Sequence, residues 1–218
     1  MTVINFTIEN AIAKPSALWV KAALKDKPFI LASSSPRRRQ VLELLGLNFQ
    51  ICNPIVDESL LASGDAAVFA ETIAASKVDA IKSKFPDQLI IGADTVVVLG
   101  ERILGKPGDA DEAIEMLHLL RDKEHCVITA VAACGHGNYQ LIVSHEKTRV
   151  FFRNYTETEL REYVTSGEPM DKAGSYGIQG MGSILVDKIE GELDNVIGLP
   201  LNCLANLLGK IEYVGNRI

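Results

Sequence analysis

The 218-residue chain predicts a mixed α/β fold, and three features carry that expectation. Apolar runs of strand length, such as Phe29 to Ala32 and Gln88 to Leu99, alternate with stretches whose apolar residues recur at helical spacing. Gly135-His136-Gly137-Asn138 separates two strand-like segments as a hairpin turn, so at least one strand pair is antiparallel. With 47% hydrophobic residues the chain can bury a real core, and its length suits one large domain or two lobes.

Residues 1–27 read as an N-terminal extension. Ser16 to Lys25 is expected to form a short amphipathic helix carrying Trp19, Val20 and Leu24, followed by the charged connector Lys25-Asp26-Lys27-Pro28. A buried strand, Phe29 to Ala32, opens the main domain, 28–218. Ser35 as N-cap and Pro36 at the first helical position start a helix whose apolar residues Val41, Leu42, Leu44 and Leu45 run to Gly46. Asn48 to Val56 is extended, and a helix from about Ala66 to Lys84 is broken by Phe85-Pro86-Asp87. Gln88 to Leu99 is a strand with a polar interruption, and Asp109 to Arg121 a helix with Ile114, Leu117 and Leu120 on one side. Strands His125 to Cys134 and Tyr139 to Phe152 flank the hairpin turn. A helix from Thr158 to Thr165, a glycine-rich loop, a strand from Ile184 to Ile189 and a helix from Leu199 to Lys210 complete the order.

Composition narrows the function classes. A formal net charge of −6 argues against a groove that tracks a nucleic-acid backbone, which needs a basic stripe, and favours a compact anionic ligand. No apolar run approaches the roughly 18 residues of a membrane span, and the first residues lack the basic-then-apolar order of a signal peptide. The expected location is cytoplasmic. Cys52, Cys126, Cys134 and Cys203 are scattered without a C-x-x-C pair, as reduced buried thiols are. His118, His125, His136 and His145 form no H-x-x-x-H pair, so a metal would be held by carboxylates, which favours Mg2+ or Mn2+ over zinc.

Three segments stand out chemically. Ser33-Ser34-Ser35-Pro36-Arg37-Arg38-Arg39 puts cations into the first turn of a helix, where each costs roughly 0.3–1 kcal/mol unless an anion binds. That turn is either a solvated basic loop or a phosphate site built from N–H groups, hydroxyls and guanidiniums. Asp94 interrupts a continuous apolar run, where an unpaired carboxylate is costly. It either ends the strand in a turn after Gly92 or pairs with a metal ion, a lysine such as Lys106, or a water that it polarises. Asp57-Glu58 offers a second acidic pair. Glu168 to Gly182 carries four glycines in nine positions, a loop suited to close approach by a ligand, with Gln179 able to read a base edge and Lys172 able to reach a phosphate.

Five ordered blocks, Leu31-Ala32-Ser33-Ser34-Ser35-Pro36-Arg37-Arg38, Gly92-Ala93-Asp94-Thr95, Gly105-Lys106-Pro107, Asp171 through Gly180, and Ile189-Glu190-Gly191 with Gly198-Leu199-Pro200-Leu201, make the chain resemble the Maf family of nucleoside triphosphate pyrophosphatases. The resemblance runs from about Pro28 to Leu208. It implies a long, curved mixed sheet with flanking helices and two lobes around a central cleft. It also implies hydrolysis of a nucleoside triphosphate to the monophosphate and pyrophosphate with a divalent cation.

By the same resemblance Asp94 is the proton acceptor and, with Glu58, the metal ligand, while Lys77 and Lys106 are further charged site residues. Ser33, Ser35, Arg37, Arg38, Lys77 and Lys106 are then the phosphate-binding set. Arg37, Thr95 and Gln179 look like the dTTP/UTP-hydrolysing branch, since the 7-methyl-GTP branch carries an acid in place of this glutamine. Other readings stay open: a 7-methyl-GTP pyrophosphatase, or a nucleotide-sensing or nucleic-acid-binding regulator of cell division. A homodimer is the oligomer to consider.

Overall fold

The computed structural model describes residues 6–25, 27–56, 64–135 and 140–215. In chain order the elements are α1 (Ile8–Ile12), α2 (Pro15–Leu24), β1 (Phe29–Ala32), α3 (Pro36–Leu44), β2 (Phe49–Ile51), α4 (Ala66–Lys82), β3 (Leu89–Leu99) and β4 (Arg102–Leu104). They continue with α5 (Ala110–Leu120), β5 (Glu124–Cys134), β6 (Leu141–Phe152), α6 (Glu157–Thr165), β7 (Val186–Glu190), α7 (Leu193–Ile197) and α8 (Leu201–Gly215), with short 3-10 turns between α6 and β7.

Among the described residues the strands form one mixed seven-stranded sheet in the order β2-β1-β3-β5-β6-β7, with β4 paired to β3. β2, β1 and β3 are parallel, while β3, β5, β6 and β7 are successively antiparallel. Strand residues alternate between two cores, as their period of two requires. Leu31, Ile91 and Val131 pack with α2, α3, α5 and α8, and Ile30, Ile90 and Ala132 pack under α4. Helix α4 lies close because its inner face carries Ala67, Ala70 and Ala74 and because it crosses β3 at Gly92. A Cβ on Gly92 would sit 2.9 Å from the Ala74 carbonyl oxygen. Only glycine allows that approach.

Punctuation residues set most boundaries where the sequence puts them. Pro36 opens α3 and Asp109 caps α5 through its side chain, while α6 starts at Glu157, one residue before the expected Thr158, because Thr156 and Glu159 form a capping box. Ser35 occupies the N-cap of α3 but makes no side-chain cap bond, and its backbone N–H donates to Ser33 Oγ at 3.2 Å. Other expectations need correction. Trp19 is 70% exposed, since α2 turns Ala17, Val20 and Leu24 inward against α8. Leu44 also faces outward. Only Phe49–Ile51 of the segment 48–56 is strand, and β7 starts at Val186 because the 3-10 turns run through Leu185. Helices α1 and α7 and strand β4 were not anticipated. The turn residues His136, Gly137 and Asn138 lie outside the described residues, though the strands they join pair antiparallel as expected.

Residues of the N-terminal segment are not a loose tail. Phe6, Ile8, Ala11, Val20 and Leu24 are buried in the same core as the main sheet. Among the described residues no helix is long and apolar enough to cross a membrane.

Candidate active site

A cleft of about 780 Å³ opens at the C-terminal ends of the parallel strands β1 and β3. The serine–arginine turn after β1, the middle of β3, the β3–β4 hairpin and the glycine-rich loop wall it. In a sheet with parallel strands a ligand site is expected at that end, where the loops diverge.

Asp94 sits inside the cleft on β3 with only 8% of its surface exposed. Lys77 of α4 reaches it, Nζ to Oδ1 at 2.6 Å. The close crossing at Gly92 makes that reach possible, because it brings the Lys77 Cβ to 3.6 Å from where a Cβ on Gly92 would sit, two residues before Asp94. Of the partners open to Asp94 (a metal ion, a lysine such as Lys106, or a water), the structure shows a lysine, and it is Lys77. Asp94 also does not end its strand, which continues to Leu99.

The two neighbouring arginines behave differently. Arg38 is buried and braced: Nε donates to the Gly198 carbonyl at 2.7 Å, Nη1 to Ser33 Oγ at 2.9 Å and Nη2 to Thr95 Oγ1 at 2.9 Å. Gly198 is glycine by necessity, with φ +109 and a would-be Cβ 3.1 Å from Thr95 Oγ1. Arg37 lines the cleft, makes no hydrogen bond or ion pair with a described residue, and has its Nε buried without a partner. A desolvated guanidinium N–H without an acceptor is costly, so the cleft is ready for an anion there. Lys106 stands exposed on the β4 side of the same cleft and forms no ion pair with a described residue.

Ser33 and Ser35 both line the cleft, although the Ser33 hydroxyl oxygen is already accepting from Ser35 N–H and Arg38. Thr95 lies between Arg38 and Thr129, whose Oγ1 is 3.0 Å from its own. Gln179 is not on the cleft wall. The wall ends at Ile178, and Gln179 borders a second, shallower groove with Phe6, Gln40 and Leu44. Lys172 holds the loop's own Glu168 carbonyl and Asp171 carboxylate, both at 2.6 Å, instead of pointing its amine at a ligand. Glu168 in turn accepts from the N–H groups of Met181 and Gly182 and from the Tyr163 hydroxyl, which fixes the loop shape. Asp57 and Glu58 lie outside the described residues.

Sequence reasoning missed the Glu101-Arg102 edge of the cleft. Its signal was present: Gly100-Glu101 is a two-residue turn between Leu99 and Arg102, with Gly100 at φ +61. Tyr176, on the wall, is held by the buried His125, whose Nε2 lies 2.7 Å from its hydroxyl. Burial pushes the His125 pKa down to about 3, so the ring is neutral.

The fold resembles a solved Ham1 protein of Staphylococcus aureus, with a TM-score of 0.50 at 15% identity over 86% of this chain and all of that one. At that identity the likeness concerns the fold alone. Sequence relatives are much nearer. A protein of Pelotomaculum thermopropionicum named dTTP/UTP pyrophosphatase is 47% identical over 86% of this chain and 98% of its own. Another of the same name from a Geobacillus species is 47% identical over 81% of this chain and 94% of its own. The family described as Maf-like protein matches residues 28–211, a span that contains every described cleft residue discussed above. This chain belongs to the Maf family.

Proposed function

We propose that the protein hydrolyses dTTP and UTP to the nucleoside monophosphate and pyrophosphate. One observation carries the reading: a half-sealed Lys77–Asp94 pair shares a cleft with two cations, Arg37 and Lys106, that form no ion pair with a described residue. That arrangement suits a polyphosphate chain on the cations and a water beside the carboxylate. The names of the relatives at 47% identity support the same substrates.

In this reading the oxygen of a water forms a bond to the α-phosphorus as the bond to the bridging oxygen of the β-phosphate breaks. Asp94 accepts the water's proton, and the electron pair leaves with pyrophosphate. Lys77 orients Asp94, whose ionised form it neutralises in a site that is largely desolvated. Arg37 and Lys106 hold the phosphates and meet the charge that grows on the leaving group. Arg38 and Ser33 shape the turn that presents Arg37. Ser35 offers a hydroxyl from the cleft wall, and Thr95 and Gln179 remain the candidates for base choice with Arg37.

Among the described residues no three His, Cys, Asp or Glu side chains converge as a preformed metal cage. A cleft carboxylate such as Asp94 nevertheless fits Mg2+ or Mn2+, since Mg2+ is commonly held by one or two carboxylates together with substrate phosphates. Asp94, with Glu58 by resemblance, would hold it. When bound, such an ion lowers the pKa of a coordinated water and neutralises phosphate charge. Residues 28–218 form the pyrophosphatase unit and 1–27 its extension; the four free thiols are in keeping with a reducing, cytoplasmic setting.

The test is pyrophosphate release from dTTP, UTP, CTP, ATP, GTP and 7-methyl-GTP with and without Mg2+ or Mn2+. Metal-dependent turnover led by dTTP and UTP is expected. Turnover led by 7-methyl-GTP, or none with any nucleotide, overturns the reading.

A further inference from the structure

Lys14 lies in the segment before the family match, yet it is tied into the molecule more firmly than most surface lysines. Its Nζ is 2.6 Å from Asp194 Oδ1 and 2.6 Å from Glu192 Oε2. Asp194 is fully buried, and its second oxygen accepts from Leu201 N–H at 2.6 Å, the start of α8. Burial pushes the Asp194 carboxyl above its usual range and also raises neighbouring Glu146, one of whose oxygens is buried without a hydrogen-bond partner. Three carboxylates therefore gather around one lysine.

Both acids that Lys14 holds belong to α7 or its N-cap, and this five-residue helix touches the cleft directly. Val196 and Ile197 are on the cleft wall. Asn195 accepts from Thr129 N–H at 3.1 Å and donates to Val127 and Thr148, while its carbonyl accepts from Thr129 Oγ1 at 2.8 Å. Thr129 meets Thr95, and Thr95 meets Arg38. Gly198, which closes α7 through its N–H on the Asp194 carbonyl, takes the Arg38 Nε. Two hydrogen-bonded routes thus run from Asp194 and its neighbour to the arginine that shapes the Ser33 turn.

We infer that Lys14 is a positioning residue for the cleft: it locks α7 through Asp194 and Glu192, and α7 sets Arg38, Thr95 and hence the phosphate-holding turn. The inference rests on the reading of the cleft as a nucleotide site. It gives the extension a task that the family span alone does not contain.

Lys14→Met, Lys14→Arg and Lys14→Met/Asp194→Asn should be compared with the wild type well below the melting temperature. The readouts are KM and kcat for dTTP, Kd for inorganic pyrophosphate by calorimetry, and the melting temperature. Lys14→Met is expected to raise KM and Kd by about three- to thirtyfold, the range for residues coupled to a site through packed intermediaries. Lys14→Arg should stay near the wild type, because a guanidinium can bridge both acids. The double variant should do no better than Lys14→Met, because the tie that locks α7 is missing from both, whereas a return to wild-type KM and Kd would trace the loss to an uncompensated buried charge and overturn the inference. Unchanged KM and Kd in folded Lys14→Met, with only a lower melting temperature, overturns the inference. Should Lys14→Met fail to fold, Asp194→Asn alone must raise KM and Kd, and unchanged values there overturn it equally. A wild type that hydrolyses no nucleotide refutes the reading of the cleft instead, and the pyrophosphate Kd still decides the role of Lys14.

Discussion

Lys77–Asp94 and Lys14–Asp194 are the same ion pair at the same 2.6 Å, built at two places in the molecule with opposite surroundings. Asp94 borders a cleft large enough for a nucleotide, which also holds Arg37 and Lys106, two cations without an ion pair to a described residue. Asp194 has no exposed side-chain surface, and both its oxygens are used by the protein. A buried carboxylate in an apolar setting is therefore not in itself a mark of catalysis. Access to a ligand-sized space and unpaired charge nearby separate the reacting pair from the bracing one.

The largest expected effect tests the bracing pair. Asp194→Ala leaves Lys14 half-compensated and the Leu201 N–H unsatisfied, and is expected to cost about 3 kcal/mol of stability, the lower end for a broken buried pair. Urea unfolding measures it, and a loss under about 1 kcal/mol would remove the distinction between the two sites. Asp94→Asn should do the reverse. It is expected to lower kcat by about 10²-fold or more while the protein stays folded, because the amide keeps the shape but cannot take the water's proton. Pyrophosphate release near the wild-type rate from folded protein would strip Asp94 of its role.

Arg37 and Arg38 sharpen the contrast at one-residue resolution. Arg37→Ala is expected to cost about 1.5–3 kcal/mol in kcat/KM with unchanged or slightly higher stability, since it removes a cation from a helix N-terminus. Arg38→Ala loses bonds to Gly198, Ser33 and Thr95 and should lower both activity and the melting temperature. Identical profiles for the two variants would mean that the cleft turn is not divided as described.

His125 supplies a test by pH. Its folded pKa of about 3 lies below the ordinary 6.5, so the folded state binds fewer protons: its contribution is intact above pH 6.5 and is lost as the pH falls towards 3. At pH 5 the wild type should have lost about 2 kcal/mol through this group, and His125→Gln should flatten that part of the urea-midpoint profile. Gln179→Glu is expected to have the smallest effect, because the side chain borders the neighbouring groove and acts on the cleft only through its loop. A modest fall of dTTP and UTP relative to 7-methyl-GTP in kcat/KM is expected; an unchanged ranking removes Gln179 from base choice.

Much of the fold was legible in the chain itself. Continuous apolar runs, the Ser35-Pro36 helix start, Phe85-Pro86-Asp87 and Asp109 act within a few residues, so they place strands and helix ends without knowledge of the rest. Asp94 was legible for the same reason, as a polar break in an apolar run whose desolvation had to be answered somehow. The charged turn after β1 was legible as a cation cluster in the wrong place for a bare helix.

What answered Asp94 was not legible. Lys77 is 17 residues away, and it meets Asp94 only because α4 crosses β3 at Gly92, a packing detail that no local pattern encodes. The same holds for Arg38, whose three partners come from the turn before it, from β3 and from the residue 160 positions later, and for Lys14, which meets an acid 180 positions away. By itself the sequence determined the elements, their order and the residues with unusual chemistry, because those follow from backbone preference and burial within one stretch of chain. Only the tertiary structure decided which arginine braces and which waits for an anion, and which lysine serves which aspartate, because charge pairing depends on distances that close only when the sheet and its helices pack.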